Sequence, residues 1–151
     1  MNKDFNSQYR DKLINAEQAA KLIQSGDVLL YATFLGRPVE FDNELAKRGQ
    51  EINDVQIFCC GTMAEPIMQT PLQGPEKFTC NNWFFGVQDR RLHDQGNMFY
   101  MPIQFSQLQD VISNETFRID YYVQQVSPMD QYGFFSFGPA NTYSFEGCLK
   151  A

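Results

Sequence analysis

Val28-Leu29-Leu30-Tyr31-Ala32-Thr33 is followed by Phe34-Leu35-Gly36-Arg37-Pro38, then by a helical period through Phe41, Leu45 and Ala46, then by Val55-Gln56-Ile57-Phe58-Cys59-Cys60, and this stretch decides the fold. A short continuous apolar run bounded by turn residues predicts a strand buried on both faces. Pro38 before the helix, Lys47 and Arg48 in its last turn and Gly49 beyond it follow the usual helix asymmetry. Two apolar strands joined through one helix form a βαβ unit, which implies an α/β fold with a mostly parallel sheet flanked by helices.

Upstream, Asn15 precedes Ala16-Glu17-Gln18-Ala19-Ala20-Lys21-Leu22-Ile23, so Asn15 caps a helix and Gln18 closes a capping box. Ala19, Ala20, Leu22 and Ile23 supply its apolar side, and Ser25-Gly26 ends it. Downstream, Gly61 to Lys77 is too rich in Gly and Pro to stay regular, and long irregular connections in compact domains often carry function. Phe78 to Phe85 predicts a short strand running into an aromatic patch, Gln88 to Asp94 a short helix, and Met98 to Met101 another strand. Phe105 to Ile112 predicts a helix capped by Ser106 with Leu108, Val111 and Ile112 inward. Phe117 to Val126 is the strongest strand of the second half. After the turn Met129 to Gly133 the segment Phe134 to Gly138 is expected to return as a short strand. Asn141 or Thr142 is expected to cap a last helix with Phe145, Cys148 and Leu149 inward. That helix has no closing cap before Ala151, so residues 1–14 are read as a lead-in and 15–151 as one amino-terminal domain, incomplete at its carboxyl end.

The 151 residues, 43% of them hydrophobic and including 14 Phe, suffice for one well-filled core. The net charge of −6 comes from scattered acids, which argues against a nucleic-acid or anionic-membrane footprint. No secretory apolar region follows Met1, and a cytoplasmic location is expected. Cys59, Cys60, Cys80 and Cys148 match neither zinc nor CxxC spacing and are read as buried free thiols rather than nucleophiles. His93 is the only histidine, so no multi-imidazole metal centre is expected. No phosphate-binding GxxxxGK, GxGxxG or GxSxG string occurs. Glu65 and Asp130 form at most a speculative acid/base pair. Loops after the carboxyl ends of parallel strands are where such folds place ligands, which draws attention to Phe34 to Arg37, Gly61 to Ala64 and Met129 to Gly133.

Ser127-Pro128-Met129-Asp130-Gln131-Tyr132-Gly133-Phe134-Phe135-Ser136-Phe137-Gly138 resembles the S-P-x-D-x-x-G-F-x-S-x-G element of the acetyl-CoA hydrolase/transferase family, which includes 4-hydroxybutyrate CoA-transferases and butyryl-CoA:acetate CoA-transferases. Tyr9 to Leu13, Ile23 to Asp27, Phe78 with Trp83-Phe84, and Met101 to Ser106 resemble their counterparts in collinear order. The resemblance implies a CoA-transferase-like amino-terminal domain of a two-part enzyme. It implies transfer of CoA from a short-chain acyl group to a carboxylate such as acetate through a glutamyl-CoA intermediate. The family's glutamate lies beyond Ala151, so no catalytic residue is assigned here, and Glu40, Glu44, Glu65, Glu76 and Glu146 are not nucleophile candidates. CoA and acyl-CoA are expected as substrates, with no tightly bound cofactor or metal. The remaining carboxy-terminal half is the expected partner, within a homo-oligomer when full length.

On this basis Phe34, Gly36, Pro38, Gly61, Thr62, Met63, Gln104 and Ser106 are the candidate substrate or CoA contacts. Thr62 and Ser106 are candidate hydrogen-bond donors, Gly61 a place where a ligand nears the backbone, and Phe34 with Met63 an apolar acyl pocket. Each also has a plain reading as turn or core. Asp130, Gly133, Ser136 and Gly138 are read as turn-forming members of the motif. An acyl-CoA hydrolase on the same scaffold and a non-catalytic metabolite- or partner-binding domain remain the alternatives.

Overall fold

A computed structural model describes residues 5–62 and 66–151. The amino-terminal helix α1 (Phe5–Lys12) buries none of its residues, and its Tyr9 ring lies 5.7 Å from that of Phe135. Helix α2 (Ala16–Ala20) starts at Asn15, whose side chain accepts from Gln18 N at 2.8 Å while Gln18 Oε1 accepts from Asn15 N at 3.0 Å, the expected capping box. The chain then runs β1 (Val28–Tyr31), α3 (Val39–Ala46), β2 (Val55–Cys59), β3 (Phe78–Asn82), α4 (Val87–Asp94), β4 (Phe99–Tyr100), α5 (Leu108–Ser113), β5 (Tyr121–Val123) and α6 (Ser144–Lys150).

Among the described residues the strands make one sheet in the order β4-β3-β2-β1-β5, and every neighbouring pair is parallel. Successive strand side chains point to opposite faces, so each apolar run feeds two cores. Leu29, Tyr31, Val55, Ile57, Cys59, Phe78 and Cys80 pack with Ala20, Ile23, Phe41, Leu45 and Leu92 from α2, α3 and α4 and the turn after α2. Val28, Leu30, Phe58, Cys60 and Trp83 pack with Leu108, Ile112 and Tyr143 on the other face. The result is a three-layer α/β/α domain. Right-handed crossovers explain the division: the steps from β1 through β4 move one way across the sheet and put α3 and α4 on one face, while the return from β4 to β5 puts α5 on the other.

Several expectations are corrected by packing. The strand read over Phe117 to Val126 shortens to β5, because β1, its one neighbour among the described residues, pairs with it through Tyr31↔Val123. Before it, Phe117 turns its ring onto Phe58 with centroids 4.9 Å apart. Phe134 to Gly138 forms no strand: Ser127 N donates to Ser136 O at 3.0 Å and Asp130 N to Phe134 O at 2.9 Å, without a continuing ladder. Ser106 does not cap α5, since it sits within a 3₁₀ turn over Phe105–Gln107 and the helix begins at Leu108. Neither Asn141 nor Thr142 caps α6, and its inward residues are Ser144 and Gly147 rather than Phe145, Cys148 and Leu149. A Cβ on Gly147 would lie 2.6 Å from the Tyr122 ring, so only the small side of this helix can approach β5. Phe145 and Leu149 are left 61% and 72% exposed. Leu22 is likewise exposed, and Ile23 takes the inward place.

Candidate functional site at the strand-order reversal

The strand order reverses beside β1: the chain leaving β1 passes to α3 on one face, whereas the chain leaving β5 leads to α6 on the other. Loops that diverge in this way leave a crevice beyond the carboxyl ends of the two strands, the usual ligand position in open parallel sheets. The first wall is Thr33 to Pro38. Phe34 holds a left-handed φ of 46°, uncommon for an aromatic residue, and its N donates to Gly61 O at 3.0 Å. Gly36 is wedged where a Cβ would stand 3.0 Å from the Cβ atoms of both Ala32 and Ala140, and its carbonyl accepts from Gln125 N at 2.8 Å. That bond ties the β1 loop to the β5 loop. Pro38 is buried and its carbonyl accepts from Asp42 N, opening α3.

A cleft of about 390 Å³ opens among Phe34, Leu35, Val39, Pro66, Gln125 and Pro139, with Arg37 the one charged residue lining it among the described residues. A smaller cleft of about 220 Å³ lies against Leu35 and Gly36 and is closed by Val126, Ser127 and the segment Ser136 to Pro139. Asp130 folds that segment by accepting from Tyr132 N and Phe134 N at 2.8 and 2.9 Å, and Ser136 Oγ accepts from Gly138 N at 3.1 Å. Gly133 has a φ of 87° with Phe5 seated over it.

Of the candidate residues, the structure brings Phe34, Gly36, Pro38 and Gly61 together at this end of the sheet. Gly61 has a φ of 66°, and a Cβ there would lie 2.4 Å from Phe34 Cε1, so the ring rests on glycine backbone. Phe84 meets the same ring edge-on at 5.9 Å. Thr62 lies beside them, but its hydroxyl donates to Asp89 Oδ1 and its N to Asp89 Oδ2 at 3.3 Å, so the hydroxyl is committed to a protein carboxylate. Met63 and Glu65 fall outside the described residues. Gln104 and Ser106 are exposed and line neither cleft.

Sequence reasoning passed over the residues that hold these loops. Asn82, fully buried, accepts from Gly61 N and Phe84 N, each at 3.0 Å, and so joins the ends of β2 and β3. Asp89, also fully buried, takes Gly86 N at 2.7 Å together with the two Thr62 donors. Its signal was a Gly86-x-x-Asp89 spacing, an acid at the third helical position, obscured by the adjacent Arg90-Arg91. Asp42 is 1% exposed and accepts from Thr70 Oγ1 and Gln69 N, each at 2.6 Å. Burial raises its pKa, a rise opposed by the Thr70 and Gln69 donors and by the Arg37 charge. His93 is structural, with Nδ1 2.8 Å from Met98 O.

Cys59, Cys60 and Cys80 are buried, and burial raises all three thiol pKa values, that of Cys60 to about 12 with the Asp89 charge adding to it. Cys148 is exposed, correcting its assignment to the core, because α6 turns its small face inward. Iodoacetamide at mildly alkaline pH is therefore expected to alkylate Cys148 alone in the native chain, with the other three reacting only after denaturation. Peptide mass mapping would read this, and native labelling of Cys59 or Cys60 would contradict the burial.

No helix among the described residues is long and apolar enough to cross a membrane, and no cluster of potential metal ligands occurs among them. The chain is 35% identical over 140 residues to the butyryl-CoA:acetate CoA-transferase of Anaerostipes caccae, a match covering 92% of this chain and 31% of that protein. It is 28% identical over 137 residues to the 4-hydroxybutyrate coenzyme A transferase of Clostridium kluyveri, covering 90% of this chain and 32% of the relative. It thus spans about a third of the length of the curated relatives it matches. The crystal structure of RipA from Yersinia pestis superposes with a TM-score of 0.84 at 26% identity, over 98% of this chain and 36% of RipA. The model of the acetyl-CoA hydrolase/transferase N-terminal domain matches residues 1–150, and the chain belongs to that family.

Proposed function

We propose that the full-length protein is a CoA-transferase that moves CoA between a short-chain acyl-CoA and a free carboxylate such as acetate. The observation that carries this reading is the 35% identity to a butyryl-CoA:acetate CoA-transferase across nearly the whole chain. The apolar cleft at the strand-order reversal suits a small acyl group. A glutamate γ-carboxylate attacks the thioester carbonyl and CoA thiolate leaves, giving a mixed anhydride. The thiolate then attacks the glutamyl carbonyl, releasing the first acid and leaving glutamyl-CoA. The acceptor carboxylate repeats the sequence in reverse and regenerates the glutamate. Among the described residues no carboxylate lines the cleft, so the nucleophile is assigned to the rest of the enzyme and this domain supplies one wall. On the same reading CoA is a substrate rather than a resident cofactor, the carboxy-terminal part is the chain's first partner in a homo-oligomer, and the enzyme works in the cytoplasm.

Full-length protein given butyryl-CoA and acetate is expected to form acetyl-CoA in step with butyryl-CoA loss and without net free thiol. Thiol release independent of acetate would indicate a hydrolase instead, and no turnover of either kind would end the proposal. Phe34, left-handed over Gly61, is the residue proposed to limit acyl length. Phe34→Ala is expected to raise the ratio of kcat/KM for hexanoyl-CoA over butyryl-CoA by about tenfold or more, as pocket methylenes discriminate by this order. An unchanged ratio would remove Phe34 from the acyl pocket.

A further inference from the structure

Arg37 has no counterpart among the residues singled out for chemistry, yet it is the most anomalous polar side chain of the site. It is 3% exposed, its Nη2 donates to Pro66 O, and its Nη1 is sealed from solvent with no hydrogen-bond partner among the described residues. A guanidinium stays protonated at any physiological pH, so the buried charge cannot be relieved by losing a proton. Asp42 feels that charge but spends its oxygens on Thr70, Gln69 and, at 3.5 Å, the Tyr31 hydroxyl. An unmade hydrogen bond on a buried cation is costly, and a water, an ion or a ligand is what ordinarily supplies the missing acceptor.

The surroundings define that ligand. Arg37 lines the 390 Å³ cleft at the strand-order reversal, whose other walls are the apolar Phe34, Leu35, Val39, Pro66 and Pro139 with Gln125. The volume falls within the range of about 300–1,000 Å³ common for small-molecule sites. A polyphosphate would call for several cations, and among the described residues this cleft has one. A monocarboxylate on a short alkyl chain matches both halves: one anionic group for the guanidinium and a few methylenes for the walls. We propose that Arg37 anchors the carboxylate of the free short-chain acid substrate in this cleft through its guanidinium. This inference rests on the transferase reading and deepens it by assigning the carboxylate of the free acid, a group the thioester lacks, to a residue of this domain. The group is a binding and specificity determinant for the acceptor, and it separates recognition of the free acid from recognition of CoA.

The test uses the full-length protein and two kinds of measurement. In thermal unfolding, butyrate is expected to raise Tm and its neutral isostere butyramide is not. Arg37→Met is expected to abolish the butyrate effect, and Arg37→Lys, which keeps the charge without the planar fork, to retain part of it. In steady-state assays Arg37→Met is expected to raise KM for the free carboxylate at least about tenfold, the loss of one charge-assisted hydrogen bond, with KM for butyryl-CoA changed less than twofold. Equal stabilisation of the wild type by butyrate and butyramide would overturn the proposal without recourse to any variant. So would an Arg37→Met protein that binds butyrate as tightly as the wild type, or a crystal structure at saturating butyrate with the guanidinium paired to a protein carboxylate instead. Arg37-dependent butyrate binding in a protein that exchanges no CoA would instead support the anchor and overturn the transferase reading.

Discussion

Gly61→Ala is expected to destabilise the protein by about 2–5 kcal/mol. Two costs add. The first is conformational: at a φ of 66° an L-residue with a Cβ is strained by about 1–2 kcal/mol. The second is steric, because the new Cβ would lie 2.4 Å from Cε1 and 2.9 Å from Cδ1 of Phe34, and overpacking of this kind costs about 1–3 kcal/mol. Phe34 cannot swing aside freely. Its own φ of 46° and its backbone bond to Gly61 O fix the direction of the side chain, and Phe84 meets the ring from outside. The urea midpoint should fall with the slope unchanged. In the double variant with Phe34→Ala the steric part should be recovered and the conformational part should remain, a non-additivity readable by a double-mutant cycle. Additive losses would show that the ring does not rest on Gly61.

Asp42→Ala is expected to cost about 3–5 kcal/mol, the scale for removing one member of a buried charged network. It strips the acceptor from Thr70 Oγ1 and Gln69 N and removes a carboxylate on which the Arg37 charge acts. Asp42→Asn should be milder, since an amide can accept from Gln69 N and donate to the Thr70 hydroxyl, which accepts equally well. The two variants also separate a pH effect. The Asp42 pKa is raised in the folded state, chiefly by burial. Between the ordinary carboxylate value and that raised value the folded protein holds a proton that the unfolded chain has released. The contribution of this group is therefore fully present below the ordinary value and is lost as pH rises through the folded one. The difference in denaturant midpoint between wild type and Asp42→Asn should shift against the wild type as pH climbs from about 4 through this window. A difference independent of pH would mean that Asp42 titrates alike in both states.

The βαβ unit was legible because its signals are local. Val28 to Tyr31 and Val55 to Cys59 are apolar at every position but Gln56, and Asn15 with Gln18 carries its capping chemistry within three residues. The starts of α2 and α3 were read correctly and those of α5 and α6 were not. α6 was assigned the correct place and the wrong face, because hydrophobic spacing favoured Phe145 and Leu149 whereas the Tyr122 ring admits only Gly147. The strand read over Phe117 to Val126 was too long for a similar reason: its length is limited by the partner strand and not by its own composition.

The candidate site divides along the same line. Phe34, Gly36 and Gly61 could be picked out because turn residues after apolar strands mark the ligand end of a parallel sheet. Asn82, Asp89, Asp42 and Arg37 could not, since each acts through partners that lie on other elements, such as Asn82 on Gly61 and Asp42 on Thr70. By itself the sequence determined the α/β class, the parallel sheet and the family resemblance, all of which follow from local periodicity and short collinear motifs. Only the tertiary structure decided that the order reverses between β1 and β5, that Thr62 gives its hydroxyl to Asp89, and that Arg37 is buried beside an apolar cleft with its Nη1 unmatched among the described residues. Those outcomes depend on which distant groups compete for the same buried space, and a residue's neighbours in sequence carry no record of that competition.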